Sequence, residues 1–379
     1  MSDVVSSTPP LGRKRLPFSL RIEPRLVEPP RWFPGLVSFG AILFALMIGG
    51  VIIALAGGDP FRTYAHIGRA SFGNLGVFSD TVVKATPLIL VGLACSVAFR
   101  MRLWNIGAEG QFFLGAFGAS AVVLIPLLPA DASPWLFIPT MMLAGILAGA
   151  TWGFIPGFLK ARFNVNEIIS TLMMNYIAVA WNNFFIFAIW SEGGFQMSPM
   201  FPRNAWLPRL ADYAKEYPVL RGLTTHLGLL IALMAVLVVW FILYRSRWGY
   251  EIRLIGDNPN AAKYAGLSIT RNTILVMMLS GGLAGLAGMS EITGVVHRLQ
   301  GAISPGYGFT GIIVAWLAKL NPFAVILVSI LFGALILAGR EIQPSGLPKL
   351  IQGIILVSLI ASDFFLRYRI RLARAGEEA

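Results

Sequence analysis

Apolar runs of membrane-crossing length recur along the chain, separated by short polar or charged segments. A helix needs about 20 apolar residues to cross the hydrocarbon core of a bilayer. Ten stretches meet or approach that length: Leu36–Ala56, Thr81–Phe99, Phe112–Leu128, Trp135–Phe158, Glu167–Trp190, Leu227–Tyr244, Ile274–Val295, Gly308–Ala318, Phe323–Ala338 and Leu350–Leu366. Gly308–Ala318 is short and reads as a broken or re-entrant helix, which is tolerated at membrane depth only where protein buries it. The first run is too long for a signal-peptide core and lacks a small-residue cleavage pattern after it, so it counts as a span. The pattern predicts an all-α polytopic membrane protein with about ten transmembrane helices, one or more of them short or broken. Residues 1–35 form a basic tail without apolar periodicity, 36–366 the membrane domain, and 367–379 a short C-terminal tail.

Composition agrees. Of 379 residues, 56% are hydrophobic and 13% charged, against about 25% charged in a soluble domain, and mean hydropathy is +0.72. A net charge of +12 could point to nucleic acid, but the basic residues sit at span ends. Cytoplasmic enrichment of Lys and Arg beside an anionic leaflet accounts for them. With both termini cytoplasmic, twenty Lys and Arg fall inside and nine outside: Arg62, Arg69, Arg203, Arg209, Lys215, Arg221, Arg298, Arg340 and Lys349. Lys84 is expected to snorkel outward. The long outer segment Ser191–His226, with Trp206, Tyr213, Tyr217 and several prolines, is expected to lie along the interface.

The residue inventory argues against catalysis. Cys95 is the only cysteine, the three histidines His66, His226 and His297 are far apart, and no HExxH, CxxC or GxxxxGK[ST] occurs. No metal site, catalytic residue or cofactor is expected, and if ATP drives this protein another chain binds it. Gly306-x-Gly308-x-x-Gly311 copies a dinucleotide fingerprint but opens a membrane helix with no strand before it, so a tight re-entry turn is the better reading. Gly145, Gly149 and Gly153, with Gly281/Gly285 and Ala284/Gly288, have the four-residue spacing that lets helix backbones approach closely.

Polar residues inside apolar runs are costly and mark candidate sites. Asn105, Glu109 and Gln111 lie in NIGAEGQ between the second and third runs, which suits a broken helix lining a polar cavity. Thr171, Asn175, Ala178 and Asn182 share one helical face, where the amides either line a pathway or bond across helices. Glu167 opens that helix, where the dipole favours an acid. Glu291 is the deepest acid, either a pathway residue or, preferably, the partner of Arg298.

The longest polar segment on the cytoplasmic side is Arg245–Thr273. Asn258 suits an N-cap, Pro259 the first helical position and Gly266 the position past the end, giving about two turns of helix. Such a helix is too short to stand alone and is either a docking element or a structured connector.

Four stretches then agree with a known family: LWNIGAEGQFFLGA (103–116), NEIISTLMMNYIA (166–178), IGDNPNAAKYAGLSI (255–269) and PGYGFTGIIVAWL (305–317). In this order and spacing the chain resembles the permeases of bacterial ABC importers in the branched-chain amino acid/ribose superfamily. Within it, it looks most like the longer permease of nucleoside importers that use a basic-membrane-lipoprotein-type binding protein. Trp316 stands where relatives usually carry a smaller residue. The resemblance implies import of a nucleoside or related solute across a bacterial inner membrane, with a simple sugar as the alternative. The implied partners are a cytoplasmic ATPase subunit, a second homologous permease and an extracytoplasmic binding protein. It also implies that Gly256–Leu267 is the coupling helix, with Asp257, Asn258, Pro259, Ala261, Ala262, Tyr264 and Gly266 as its residues. An ion-coupled secondary transporter would need buried titratable groups, and only Glu291 fits.

Overall fold

The computed structural model describes residues 18–24, 30, 32–129, 131–339 and 346–374. Arg13, Lys14, Arg15, Arg25 and Arg31 of the basic tail, Arg340, and residues 375–379 lie outside them. Thirteen α-helices appear among the described residues: α1 Phe33–Leu55, α2 Pro60–Phe72, α3 Leu75–Arg100, α4 Ala108–Leu124, α5 Pro134–Phe163, α6 Glu167–Ala188, α7 Gly228–Arg245, α8 Arg247–Asp257, α9 Pro259–Tyr264, α10 Ile269–Glu291, α11 Tyr307–Leu317, α12 Pro322–Ala338 and α13 Leu347–Arg367. Each of the ten expected apolar runs is a helix. Five stretches are long and apolar enough to cross a membrane (Gly35–Leu55, Leu75–Arg100, Pro134–Phe163, Gly228–Arg245 and Ile269–Val296), and four shorter apolar helices accompany them.

Two units divide the chain, residues 50–352 and the terminal segments 1–49 with 353–379. Within the terminal unit, β1 (Phe18–Pro24) pairs antiparallel with β2 (Tyr368–Arg374), from Phe18 opposite Arg374 to Pro24 opposite Tyr368. Part of the basic tail is therefore a strand. Its Leu20 and Ile22 alternate with Ser19 and Arg21, a two-residue period too short to stand out beside the prolines.

In the larger unit α3 is the central element. Ser79 and every residue from Thr81 to Phe99 are buried. Two of its interior hydroxyls are satisfied within the helix, Thr86 donating to Val82 O and Ser96 to Gly92 O, while Thr81 donates to Ser71 O of α2. Elsewhere in this unit, α5 and α10 cross at the small residues anticipated for close approach. A Cβ built at Gly149 would lie 2.8 Å from Gly285 Cα, and one at Gly153 would lie 3.2 Å from Gly281 Cα, so backbone packs on backbone. Besides the short α9, two helices have no counterpart among the apolar runs. The first, α2, is amphipathic and opens with Asp59 capping Phe61 and Arg62. The second, α8, turns the expected single helix of Arg245–Thr273 into a helix pair.

The segment Ser191–His226 is a folded cap. Its backbone bonds to the π turn Ile292–Val296 and the segment that follows it, through Leu207 N to Thr293 O, Phe201 N to His297 O and Ser198 N to Leu299 O. Its other edge is tied to α3, where Ser79 Oγ accepts Thr225 N and Asp80 accepts Thr224 Oγ1. Trp206 stacks on His297 at 3.6 Å between centroids, with Arg203 4.7 Å from its own ring. Burial, reinforced by Arg209, lowers the His226 pKa to about 3 and that of His297 to about 4, so both imidazoles are neutral in the cap at ordinary pH.

Candidate translocation site and candidate docking element

The Asn105–Gln111 stretch folds back into the bundle. After α3 ends at Arg100, Asn105 returns to the level of Ala94, because Ser280 Oγ donates to Ala94 O while accepting Asn105 Nδ2, at 2.7 and 2.8 Å. Six residues of helix rise about 9 Å, so α4 starts inside the membrane rather than at its edge. The non-helical segment Leu103–Gly107 would leave backbone groups stranded there. Polar side chains meet that need. Asn105 exchanges hydrogen bonds with Gln111 at 2.8 and 3.1 Å and accepts Gly107 N. Asn175 of α6 accepts Gly110 N at 2.8 Å and donates to Ile106 O at 2.9 Å. Thr171 accepts Ile106 N at 3.3 Å and donates to Glu167 O.

The short helix α11 meets this junction. Gly306, at φ +105, makes the turn, and Ser304 Oγ accepts the N–H groups of Gly306 and Tyr307. A Cβ at Gly308 would collide with the backbone of Glu109, so the N-termini of α4 and α11 touch. Glu109, 7% exposed, accepts Gly308 N at 2.5 Å, placing an acid between two positive helix ends. Broken helices whose ends meet inside a bilayer are where transporters build solute and ion sites. Thr310 of α11 extends the polar line by donating to Gln352 at 3.2 Å.

Five expected residues thus come together: Asn105, Glu109, Gln111, Thr171 and Asn175. Their side chains are mostly spent on the chain itself, so Thr171 and Asn175 hold α6 to the re-entrant segment. The Asn175→Leu variant orphans Ile106 O and Gly110 N, at about 1–3 kcal/mol for each buried group. Its thermal transition in detergent is expected to fall well below that of the wild type, and an unchanged transition would remove this role. Asn182 lies two turns on, donating to Gln300 O at 3.2 Å, and its Oδ1 is buried without a hydrogen-bond partner among the described residues.

Glu291 does not join them, and its expected partner is corrected. It pairs with Lys84 of α3 at 3.0 Å, both side chains under 10% exposed. Arg298 lies instead 4.0 Å from Glu192. Lys84 turns into the bundle rather than outward because a carboxylate waits on α10. Glu167, assigned to the helix dipole, also pairs with Lys160 at 3.0 Å. The residues missed from sequence are Lys84, Ser280, Ser304 and Gly308. A lone cation and a lone acid in two different apolar runs were a signal for the first, whereas serine in a glycine-rich helix gave none.

On the opposite side, α8 and α9 form a helix pair. Ser246 caps α8 through Gly249 N. Asn258 caps α9 through Asn260 N and Ala261 N at 3.1 and 3.0 Å, with Pro259 first and Gly266 at φ +77 beyond the end. Trp248 and Glu251 both bond Asn272 at the start of α10, tying the pair to a central helix. Asp257, Asn258, Pro259, Tyr264 and Gly266 are exposed, Tyr264 at 94%, and Ala261 is intermediate. Ala262 is fully buried. It packs the element onto its own chain and offers no docking face, so an acid there would damage the fold first.

Residues 77–360 match the family model for the permease component of branched-chain amino acid transport systems. Over 369 residues, 93% of this chain and 96% of the relative, the sequence is 34% identical to a glucose ABC transporter permease of Haloferax volcanii. It is 35% identical over 344 residues, 88% and 94% of the two chains, to a guanosine ABC transporter permease of Bacillus subtilis. A nucleoside ABC transporter permease of Lactococcus lactis is 29% identical over 355 residues, 90% and 94%. With its spanning helices and its broken helices meeting at a buried polar junction, the chain belongs to the branched-chain amino acid transport permease family and is a transport subunit of an ABC system rather than an enzyme.

Proposed function

We propose that this chain is the larger permease of an inner-membrane importer for a nucleoside or a closely related neutral solute. In this reading it pairs with a second, homologous permease. An ATPase subunit docks on α8–α9 and an extracytoplasmic binding protein delivers solute to the opposite face. The observation that carries it is the junction of α4 and α11, where amides, hydroxyls and one carboxylate cluster at membrane depth. Most of these groups are spent on the chain itself, so the junction supports a polar stretch of pathway and the solute class rests on the relatives. The guanosine and nucleoside relatives support the nucleoside assignment, and the glucose relative keeps a sugar as the second reading. The assembled transporter in vesicles should take up labelled guanosine in an ATP-dependent way, with other nucleosides competing and glucose not. Equal competition by glucose would favour the sugar.

Cytoplasmic termini are supported by the twenty-to-nine charge asymmetry and by the pairing of β1 with β2, which needs both tails on one side. Cysteines placed singly at the exposed positions Lys215 and Lys263, with Cys95→Ser, should label from opposite sides of intact cells. Labelling of both from outside would reverse this orientation.

A further inference from the structure

A groove away from the α4–α11 junction opens between the cap and the first turns of α5 and α7, with a volume of about 590 Å³. That is the size of a small-molecule site, roughly 300–1,000 Å³. Its walls are apolar, made by Ile138 and Met142 of α5, Leu227 and Ile231 at the start of α7, and Trp206 of the cap. Two charged side chains, Arg203 and Asp212, complete the lining, and both are exposed. Arg203 faces Trp206 and has no carboxylate within ion-pair distance among the described residues. Asp212 accepts Arg209 N at 2.8 Å through Oδ2, and a carboxylate has capacity for further donors.

The level of the groove matters. α5 begins at Pro134 and α7 at Gly228, at the end of the bundle away from α8–α9, where hydrocarbon gives way to headgroups. Trp135, 88% exposed, and Tyr213, 49% exposed, line it, and such amphipathic aromatics concentrate at that boundary. An apolar trough at this depth is in contact with lipid, and its two charges select among headgroups. Arg203 matches a phosphate. Asp212 repels a headgroup with net negative charge and favours one carrying an ammonium N–H donor, which choline lacks.

We propose that this groove is a phospholipid site that takes an acyl chain between α5 and α7 and a phosphoethanolamine headgroup at its rim. Arg203 holds the phosphate and Asp212 the ammonium. The lipid joins the cap to two spanning helices, independently of which solute is carried.

The test uses the assembled transporter in mild detergent, supplied in turn with phosphatidylethanolamine, phosphatidylglycerol and phosphatidylcholine, with retained lipids counted by intact-complex mass spectrometry. The wild type should retain the ethanolamine lipid in preference to the other two by on the order of tenfold, the value of one charge-assisted contact. Arg203→Gln should lower retention of all three. Asp212→Asn keeps the acceptor for Arg209 N and should erase the preference for ethanolamine over glycerol while binding persists. Ile231→Trp should fill the trough and remove the retained lipid from a complex that still assembles. Retention unaffected by both Arg203→Gln and Ile231→Trp, or a wild-type preference for phosphatidylglycerol, would overturn the proposal.

Discussion

Lys84→Met is expected to remove most of the folded protein from the membrane, and adding Glu291→Gln is expected to bring it back. Lys84 and Glu291 pair at 3.0 Å with side chains 7% and 4% exposed, in a bundle whose central helix is enclosed on all sides. Withdrawing one charge leaves the other in a medium that cannot solvate it, at a cost of about 3–5 kcal/mol. That is a large fraction of the roughly 5–15 kcal/mol that holds a typical folded protein together. Removing both charges leaves neutral side chains of similar size, and pairs replaced in that way are often no less stable. Size-exclusion profiles of the detergent-extracted single and double variants read the difference directly. A single variant with the wild-type profile and thermal transition would show that the pair carries no such burden. Should the double variant regain its fold yet fail to transport, the ion pair would belong to the transport cycle as well as to the bundle.

Much of this fold was legible because membrane helices announce themselves by length and apolarity. All ten runs became helices, and the small-residue spacing at Gly145, Gly149 and Gly153 marked a real crossing with α10. The amphipathic helices α2 and α8 were hidden for the opposite reason. Their polar faces read as loop, and the contacts that fix them come from α3 and α12 in one case and from α7 and α10 in the other. The face of α6 carrying Thr171, Asn175 and Asn182 was visible from its period, and all three are buried. What the period could not show was that the partners of Thr171 and Asn175 are the backbone of a re-entrant segment. That required knowing that the chain after Arg100 turns back into the bundle. The Glu291 partner was misassigned because Arg298 is near in sequence, whereas Lys84 is 207 positions away. In a bundle, buried charge is neutralised by the neighbouring helix and not by the next turn. Ala262 looked like part of a small docking face, yet its place on α9 turns it towards the chain's own helices.

The proposed coupling through α8–α9 rests on an element that is capped at both ends, bound to α10 through Asn272, and tipped by a tyrosine with almost no contact to its own chain. An exposed aromatic on a preformed helix loses little freedom on docking. Aromatic anchors of this kind dominate interface energetics, with truncation costing about 2 kcal/mol or more. Tyr264→Ala changes nothing that the bundle depends on, so insertion, yield and thermal transition should match the wild type. The deciding measurement is the amount of ATPase subunit that co-purifies with Tyr264→Ala, read beside ATP-driven uptake. A weakening of about 30-fold with loss of uptake in a normally folded permease is the predicted result. Undiminished ATPase binding with full uptake would contradict the account, leaving α9 as a connector and the site of docking elsewhere on the chain.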